Sequence, residues 1–172
     1  MAAEPTANDL LPRCKRSALH LEMRDGYMRS DPWFADWLAG HRHDPADRDS
    51  WWHPWNEMTL RAVNRGVDVR RARIVSEPIS DYIRFEYDVT FTNVAAGEKV
   101  RWLSRRRATD IALPGNDFWL FDGSAVLVIH FTGDGEVAGH ELIEDDPALA
   151  KLCAASFEAV WERAIPHEEY KP

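Results

Sequence analysis

Apolar and polar positions alternate along much of the chain in the way that β-strands require. Residues 18–24, 67–75, 99–103 and 137–143 each carry apolar side chains at or near every second position. Two more apolar runs flank Asp122-Gly123, a dipeptide that favours a tight turn because glycine tolerates positive φ. The pattern therefore predicts six strands, two of them joined as a hairpin.

Helical periodicity marks the segments between these strands. The apolar residues of 147–164 share one stripe, and helices are also predicted from Trp55 to Gly66 and around Trp33 and Trp37. Residues 80–91 fit two structures, because their alternation favours a strand whereas Ser80 resembles a helix N-cap. We favour a helix for the first part of this segment, since parallel strands on both sides of it need a crossover connection.

This order of elements predicts an α+β fold, in which helices flank a mixed sheet. With 172 residues we expect a single domain, 1–172. Within it, 1–66 form a mostly helical, Trp-rich N-terminal part, and 67–172 form the mixed α/β core. The longest apolar runs are far shorter than the roughly 20 residues that span a bilayer, and no signal sequence is evident. We therefore expect a soluble, cytoplasmic protein that makes no membrane contact.

The net charge of −8 is unevenly distributed. Residues 61–107 contain eleven Lys and Arg against six acidic residues, so this third of the chain is basic and the remainder is strongly acidic. A basic region on an acidic body favours an anionic small molecule as ligand. Direct nucleic-acid binding is disfavoured, because the acidic remainder would repel a phosphate backbone. A solvated strand face and loop would show the same charge pattern.

The predicted ligand-binding residues lie near strand ends and in the basic region, where open sheets place their crevices. They are Tyr82, Arg84, Arg105, Arg106, Arg107 and Trp119. No Gly-rich phosphate loop or nucleophile motif is present in the sequence, so we expect no cofactor.

Two other groups are weaker candidates. His130, Asp117 and Glu77 would form a general acid–base site if folding brought them into one cleft, although a structural role for His130 is favoured. His41, His43 and His53 crowd into a short loop and are donor types that zinc accepts. Their spacing does not match known zinc sites, so the prediction is that no metal is bound.

The strand, helix, strand, hairpin, strand, helix order over 67–164 resembles the half-domain of the phospholipase D superfamily. In that superfamily a catalytic His-x-Lys precedes the Asp of the hairpin turn. Aligned on Asp122, the His position falls on Gly115 and the Lys position on Asp117. Glycine cannot attack phosphorus, and a carboxylate would repel the phosphoryl oxygens. The resemblance thus implies this fold without its chemistry.

Four segments resemble a bacterial family known only as a domain of unknown function: RIVSEPISDYIRFEYDVT, NVAAGEKVRWLSRR, LPGNDFWLFDG and FEAVWERAIPHEEY. Its members are commonly encoded beside helix-turn-helix regulators of antitoxin-like type, which implies such a regulator as partner. The leading hypothesis is therefore a non-catalytic regulatory, ligand-sensing or protein-binding module. The alternatives are a small enzyme built on a His/Asp/Glu site, and a toxin–antitoxin component that touches nucleic acid.

Overall fold

A computed structural model describes residues 4–172, so the first three residues of the predicted domain lie outside the described part. Its centre is a seven-stranded mixed sheet in the order β6-β5-β4-β1-β2-β3-β7. Strands β1, β2 and β3 are parallel, and the other neighbours pair antiparallel. The strands are β1 Ser17–Glu22, β2 Asp68–Val75, β3 Lys99–Ser104, β4 Asp117–Phe121, β5 Ala125–Phe131, β6 Val137–Ile143 and β7 Ile165–Pro166.

Helices cover both faces of this sheet. They are α1 Ala7–Leu10, α2 Pro32–Leu38, α3 Pro54–Asn64, α4 Asp81–Val89, α5 Phe91–Ala95 and α6 Pro147–Arg163, and short 3₁₀ segments follow at Leu11–Arg13, Arg48–Ser50 and Arg105–Arg107. The predicted α+β class, a mixed sheet flanked by helices, is confirmed. In the described part of the chain no helix has the length and apolar character needed to cross a membrane.

One face of the sheet is apolar and is covered by α6. Leu21, Ala72 and Phe118 lie side by side on β1, β2 and β4, and they pack against Phe157 and Val160 of the helix. All five are buried, and each large apolar side chain removed from water contributes about 1.5–3 kcal/mol. This layer supplies the main hydrophobic core.

The opposite face is divided into three zones. Two apolar clusters, one containing Trp102 and the other Trp119, pack beneath the remaining helices. Between them runs a buried charged zone that we call the polar band, composed of His20, Glu22, Arg71, Arg73, Glu86 and Glu98. Because side chains alternate along a strand, His20 and Glu22 share one face, and so do Arg71 and Arg73.

The N-terminal part is more than a helical segment. Strand β1, from residues 17–22, lies between β4 and β2 and pairs with both of them. The α/β core therefore extends beyond the predicted 67–172 and includes the middle strand of the sheet. The ambiguous residues 80–91 are helical over Asp81–Val89, where the Ser80 hydroxyl caps the helix by accepting from the Ile83 N–H at 3.1 Å.

The predicted hairpin turn at Asp122-Gly123 is confirmed, and its aspartate has a clear structural role. Both residues have positive φ, at 52° and 77°, and Ser124 N donates to the Phe121 carbonyl at 3.1 Å. The Asp122 carboxylate accepts backbone N–H bonds from Lys15, Arg16 and Ser17. It thereby anchors the chain that leads into β1, which is the strand next to the hairpin.

Candidate functional site

Glu22 is the centre of the polar band. Its Oε1 accepts from Arg71 Nη1 at 2.6 Å and lies 3.1 Å from His20 Nε2, while its Oε2 accepts from Arg73 Nε. Burial acts to raise the pKa of Glu22, but the guanidinium of Arg73 and then that of Arg71 outweigh it and hold the pKa well below its usual range. Glu22 is therefore a permanent carboxylate at the centre of the sheet face.

The two guanidiniums extend the network to helices and loops. Arg71 Nε donates to Glu98 at 2.7 Å, and Arg73 donates to Glu86 and to the Thr90 hydroxyl, both at 2.6 Å. Burial raises the pKa of Glu86, and Arg73 offsets this only in part. The polar band thus contains one carboxylate that is firmly ionised and another that holds its proton more strongly than usual.

A cavity of about 450 Å³ opens above the polar band. Its floor is formed by β1, β2, β4 and β5, and its walls by the ends of α1, α3 and α4, the loop after β1, and β6. The side chains that border it are mainly aromatic or ionisable: His20, Glu22, Tyr27, Trp55, Arg71, Tyr82, Glu86, Asp117, Trp119, Phe131 and His140. Its size and its mixed lining are typical of small-molecule sites.

Asp117 lies at the floor of this cavity at the start of β4. One carboxylate oxygen accepts from the Met23 N–H at 3.0 Å, and the other accepts from the Tyr27 hydroxyl. Burial raises the pKa of Asp117 to about 6, although the Tyr27 hydrogen bond acts in the opposite direction. Burial and the neighbouring Asp117 charge raise the pKa of Tyr27 well above its usual value, so the phenol stays protonated and donates.

Two hydrogen-bond donors at the floor remain available to a ligand. Trp119 is only 4% exposed, and its indole nitrogen has no acceptor among residues 4–172. The Trp119 side chain borders the cavity. Arg71 uses Nε and Nη1 within the polar band, which leaves Nη2 for the cavity. His20 stacks on Trp119 with ring centroids 4.2 Å apart and orients it.

The predicted ligand-binding residues are only partly brought together. Tyr82 and Trp119 both border the cavity, whereas Arg84 is exposed on α4, and Arg106 and Arg107 are exposed beyond β3. Arg105 donates to the carbonyls of Met23 and Ile74 and pairs with Asp25. The basic region does not form one surface, because several of its arginines are paired inside the fold.

The predicted catalytic residues do not form one site. Asp117 pairs with Ile129 across the hairpin, so it shares the cavity face with that residue, and His130 points to the opposite face. His130 contacts Glu141 on β6 at 3.2 Å, and Glu77 accepts from the Tyr170 hydroxyl at 3.0 Å. Each of the three residues has separate partners in a separate part of the fold.

The three loop histidines gather around Trp33 beside a second cavity of about 460 Å³. The rings of His43 and His53 lie 4.6 and 4.2 Å from Trp33, and His41 and His43 border the cavity. Burial and then the charge of His41 lower the pKa of His43. Over residues 4–172, no group of three or more His, Cys, Asp or Glu side chains is arranged to hold a metal ion.

Four residues of the polar band were not predicted from the sequence. His20 and Glu22 alternate with leucines on β1, and Arg71 and Arg73 alternate with Ala72 and Ile74 on β2. Polar residues at every second position of two otherwise buried strands indicate a polar face. That signal was available, but it does not reveal that the two strands are neighbours.

Comparison with known families identifies the chain. The model of a domain of unknown function, DUF6879, matches residues 5–172. The chain belongs to this family. No curated protein matches it. The predicted membership of a family of unknown function is therefore confirmed, and membership in DUF6879 assigns no activity.

One solved structure supports the predicted fold. The DUF6879 chain is similar to a phospholipase D family member, Nuc from Salmonella typhimurium, with a TM-score of 0.51 and 15% identity over 96% of this chain and 88% of that one. It also matches TrmBL2, an archaeal chromatin protein whose structure shows a novel mode of DNA binding, with a TM-score of 0.48 and 12% identity over 91% of this chain and 47% of that one. The likeness to Nuc shows a phospholipase D-like fold.

Proposed function

We propose that this DUF6879 protein is a non-catalytic ligand-sensing module, and that the cavity above the polar band is its ligand site. One observation carries the proposal: an open cavity of about 450 Å³ lies directly above buried, ionised side chains. Buried charges are costly, so a fold without a use for them would be expected to replace them with apolar residues. Tyr82 in the wall and Trp119 in the floor provide flat aromatic surfaces for a small organic molecule.

The resemblance to phospholipase D supports a role without that chemistry. Gly115, at the His position, is exposed and carries no functional group. Asp117, at the Lys position, borders the cavity and hydrogen-bonds to Tyr27. A carboxylate there would repel a phosphoryl group instead of neutralising it. We infer that the cavity is retained for binding and that phosphodiester hydrolysis is lost.

Binding can be tested with N-phenyl-1-naphthylamine, a neutral dye that fluoresces in apolar pockets. The matched variants are Val137→Trp and Leu152→Trp, which replace exposed side chains at the cavity and on the far face of α6. We expect wild type and L152W to bind one dye per chain. V137W should bind about tenfold more weakly, because filling the opening removes roughly 1.4 kcal/mol of contact.

Two outcomes would contradict this proposal. The dye could fail to bind the wild-type protein, or the two tryptophan variants could lose affinity equally. Circular dichroism of both variants identifies a loss that is caused by misfolding.

We further propose that ligand occupancy is read by a helix-turn-helix regulator. The support is the resemblance to a family whose members are encoded beside such genes. Size-exclusion chromatography of the protein with a helix-turn-helix regulator encoded beside a gene of this family tests the proposal. Co-elution supports the partnership, and separate elution contradicts it.

A further inference from the structure

The charges around the cavity do not balance. Four carboxylates, those of Glu22, Glu86, Glu98 and Asp117, face only two guanidiniums, those of Arg71 and Arg73. His20 has acceptors at both ring nitrogens, the Phe118 carbonyl at 2.8 Å and Glu22 at 3.1 Å. The acidic groups therefore outnumber the guanidinium groups around the cavity, which favours a positively charged ligand.

The excess negative charge lies toward the cavity. Glu98 is sealed beneath Arg71 and Asn93, whereas Glu86 and Asp117 both border the open space. Glu22 lies close enough to raise the pKa of both of these carboxyl groups. A cation placed beside Glu86 and Asp117 would relieve that repulsion, and an anion would add to it.

A second observation, independent of the acids, also indicates a ligand. The buried Trp119 and Arg71 both border the cavity, and neither the Trp119 indole N–H nor Arg71 Nη2 has an acceptor among residues 4–172. Buried donors normally have partners, so a ligand that fills this space would be expected to supply an acceptor here. The positive group and the acceptor would then contact different sides of the floor.

The geometry points to a specific class of ligand for this cavity: a small organic cation that also carries a hydrogen-bond acceptor. This inference rests on the proposed function. The positive group of the ligand, an amine, amidine or guanidinium, lies against Glu86 and Asp117. Its acceptor receives the Trp119 indole N–H, and its apolar body contacts Tyr27 and Tyr82. This class differs from the anionic molecule that the basic sequence region had suggested, because the arginines of that region in the polar band are already paired with carboxylates.

Three compounds of the same shape test the charge preference. They are 4-hydroxybenzamidine, 4-hydroxybenzamide and 4-hydroxybenzoate, which are cationic, neutral and anionic at pH 7.5 and share a hydroxyl acceptor. Isothermal titration calorimetry should give the tightest binding for the amidine, about tenfold weaker binding for the amide, and no detectable binding for the benzoate.

Matched variants locate the effect. Asp117→Asn should weaken amidine binding about tenfold while leaving amide binding unchanged, because it removes charge and keeps the shape. Glu162→Gln, an exposed acid on α6, makes the same type of change on the other side of the sheet and should leave both affinities unchanged.

The outcomes separate the two proposals. If the amide or the benzoate binds as tightly as the amidine or more tightly, the cation inference is overturned. If Val137→Trp weakens that binding, the cavity is still a ligand site. An equal loss of amidine affinity in D117N and E162Q also overturns the inference. Failure of all three compounds to bind contradicts both proposals.

Discussion

Replacing Arg73 by methionine is expected to lower the free energy of unfolding by about 3–5 kcal/mol. Arg73 is 3% exposed and pairs with Glu22 and Glu86, and its Nη1 also donates to Thr90. Methionine fills similar space but leaves two buried carboxylates without their main cation. The uncompensated charge, rather than lost packing, causes the destabilisation. Urea unfolding at pH 7.5, followed by circular dichroism, measures the effect.

Arg163→Met is the matched control for this substitution. Arg163 pairs with Asp110 at the surface, where solvent screens the charges, so its loss should lower the free energy of unfolding far less than R73M does. Adding Glu86→Gln to R73M should recover part of the stability, because it removes one of the stranded charges. If R73M and R163M destabilise the protein equally, the polar band does not carry the energetic role described here.

Asp117→Asn is expected to remove a pH dependence of stability worth about 3 kcal/mol. Burial raises the pKa of Asp117 to about 6 in the folded protein, from an ordinary value of 3.8. Between pH 3.8 and about pH 6, Asp117 is ionised in the unfolded chain but still protonated in the folded protein. The free energy of unfolding of the wild type therefore falls as the pH rises. Above pH 6 both states are ionised and the loss is complete. The asparagine variant carries no charge at this position at any of these pH values. The free energy of unfolding of D117N relative to that of wild type should therefore increase from pH 3.8 to about pH 6.

The measurement is the difference in free energy of unfolding between wild type and D117N at pH 4, 5, 6 and 7. Tyr27, His20 and Glu22 are the ionisable groups that face the Asp117 carboxyl, and all three are present in both proteins. Asp110→Asn is the control, because the Arg163 hydrogen bond lowers the pKa of Asp110 and its effect lies at more acid pH. A constant difference between wild type and D117N over the four pH values would show that Asp117 is not held protonated by burial.

The local elements of this fold could be predicted from the sequence, whereas the placement of β1 could not. Positive φ at Asp122 and Gly123 and alternation on both sides identify the hairpin, because a hairpin depends on neighbouring residues. Strand β1 pairs with β2 at Ser17↔Asp68 and with β4 at Ala18↔Phe121. These are long-range contacts, and alternation in 17–22 does not reveal which strands lie beside it.

The same limit explains what was found and missed at the site. Tyr82 was predicted because it follows the end of a strand, and Trp119 because it lies with Asp117 on a strand of the hairpin; both border the cavity. Arg71 and Arg73 were counted only as part of a basic region. Their partners Glu22 and Glu86 come from another strand and from α4, so the neutralisation becomes visible only when the sheet is assembled. The number of basic residues along the chain therefore does not reveal which of them are neutralised by carboxylates in the fold.

Indole N–H resonances report directly on whether the cavity above the polar band binds a small molecule. Protein labelled with ¹⁵N would be titrated with N-phenyl-1-naphthylamine, with signals assigned through single Trp→Phe variants. Trp55 and Trp119 border the cavity, whereas Trp161 packs on Phe157 on the other side of the sheet. If the ligand occupies this cavity, the signals of Trp55 and Trp119 shift to saturation while that of Trp161 stays in place. Equal shifts at all three tryptophans, or none at Trp55 and Trp119, would contradict binding in this cavity.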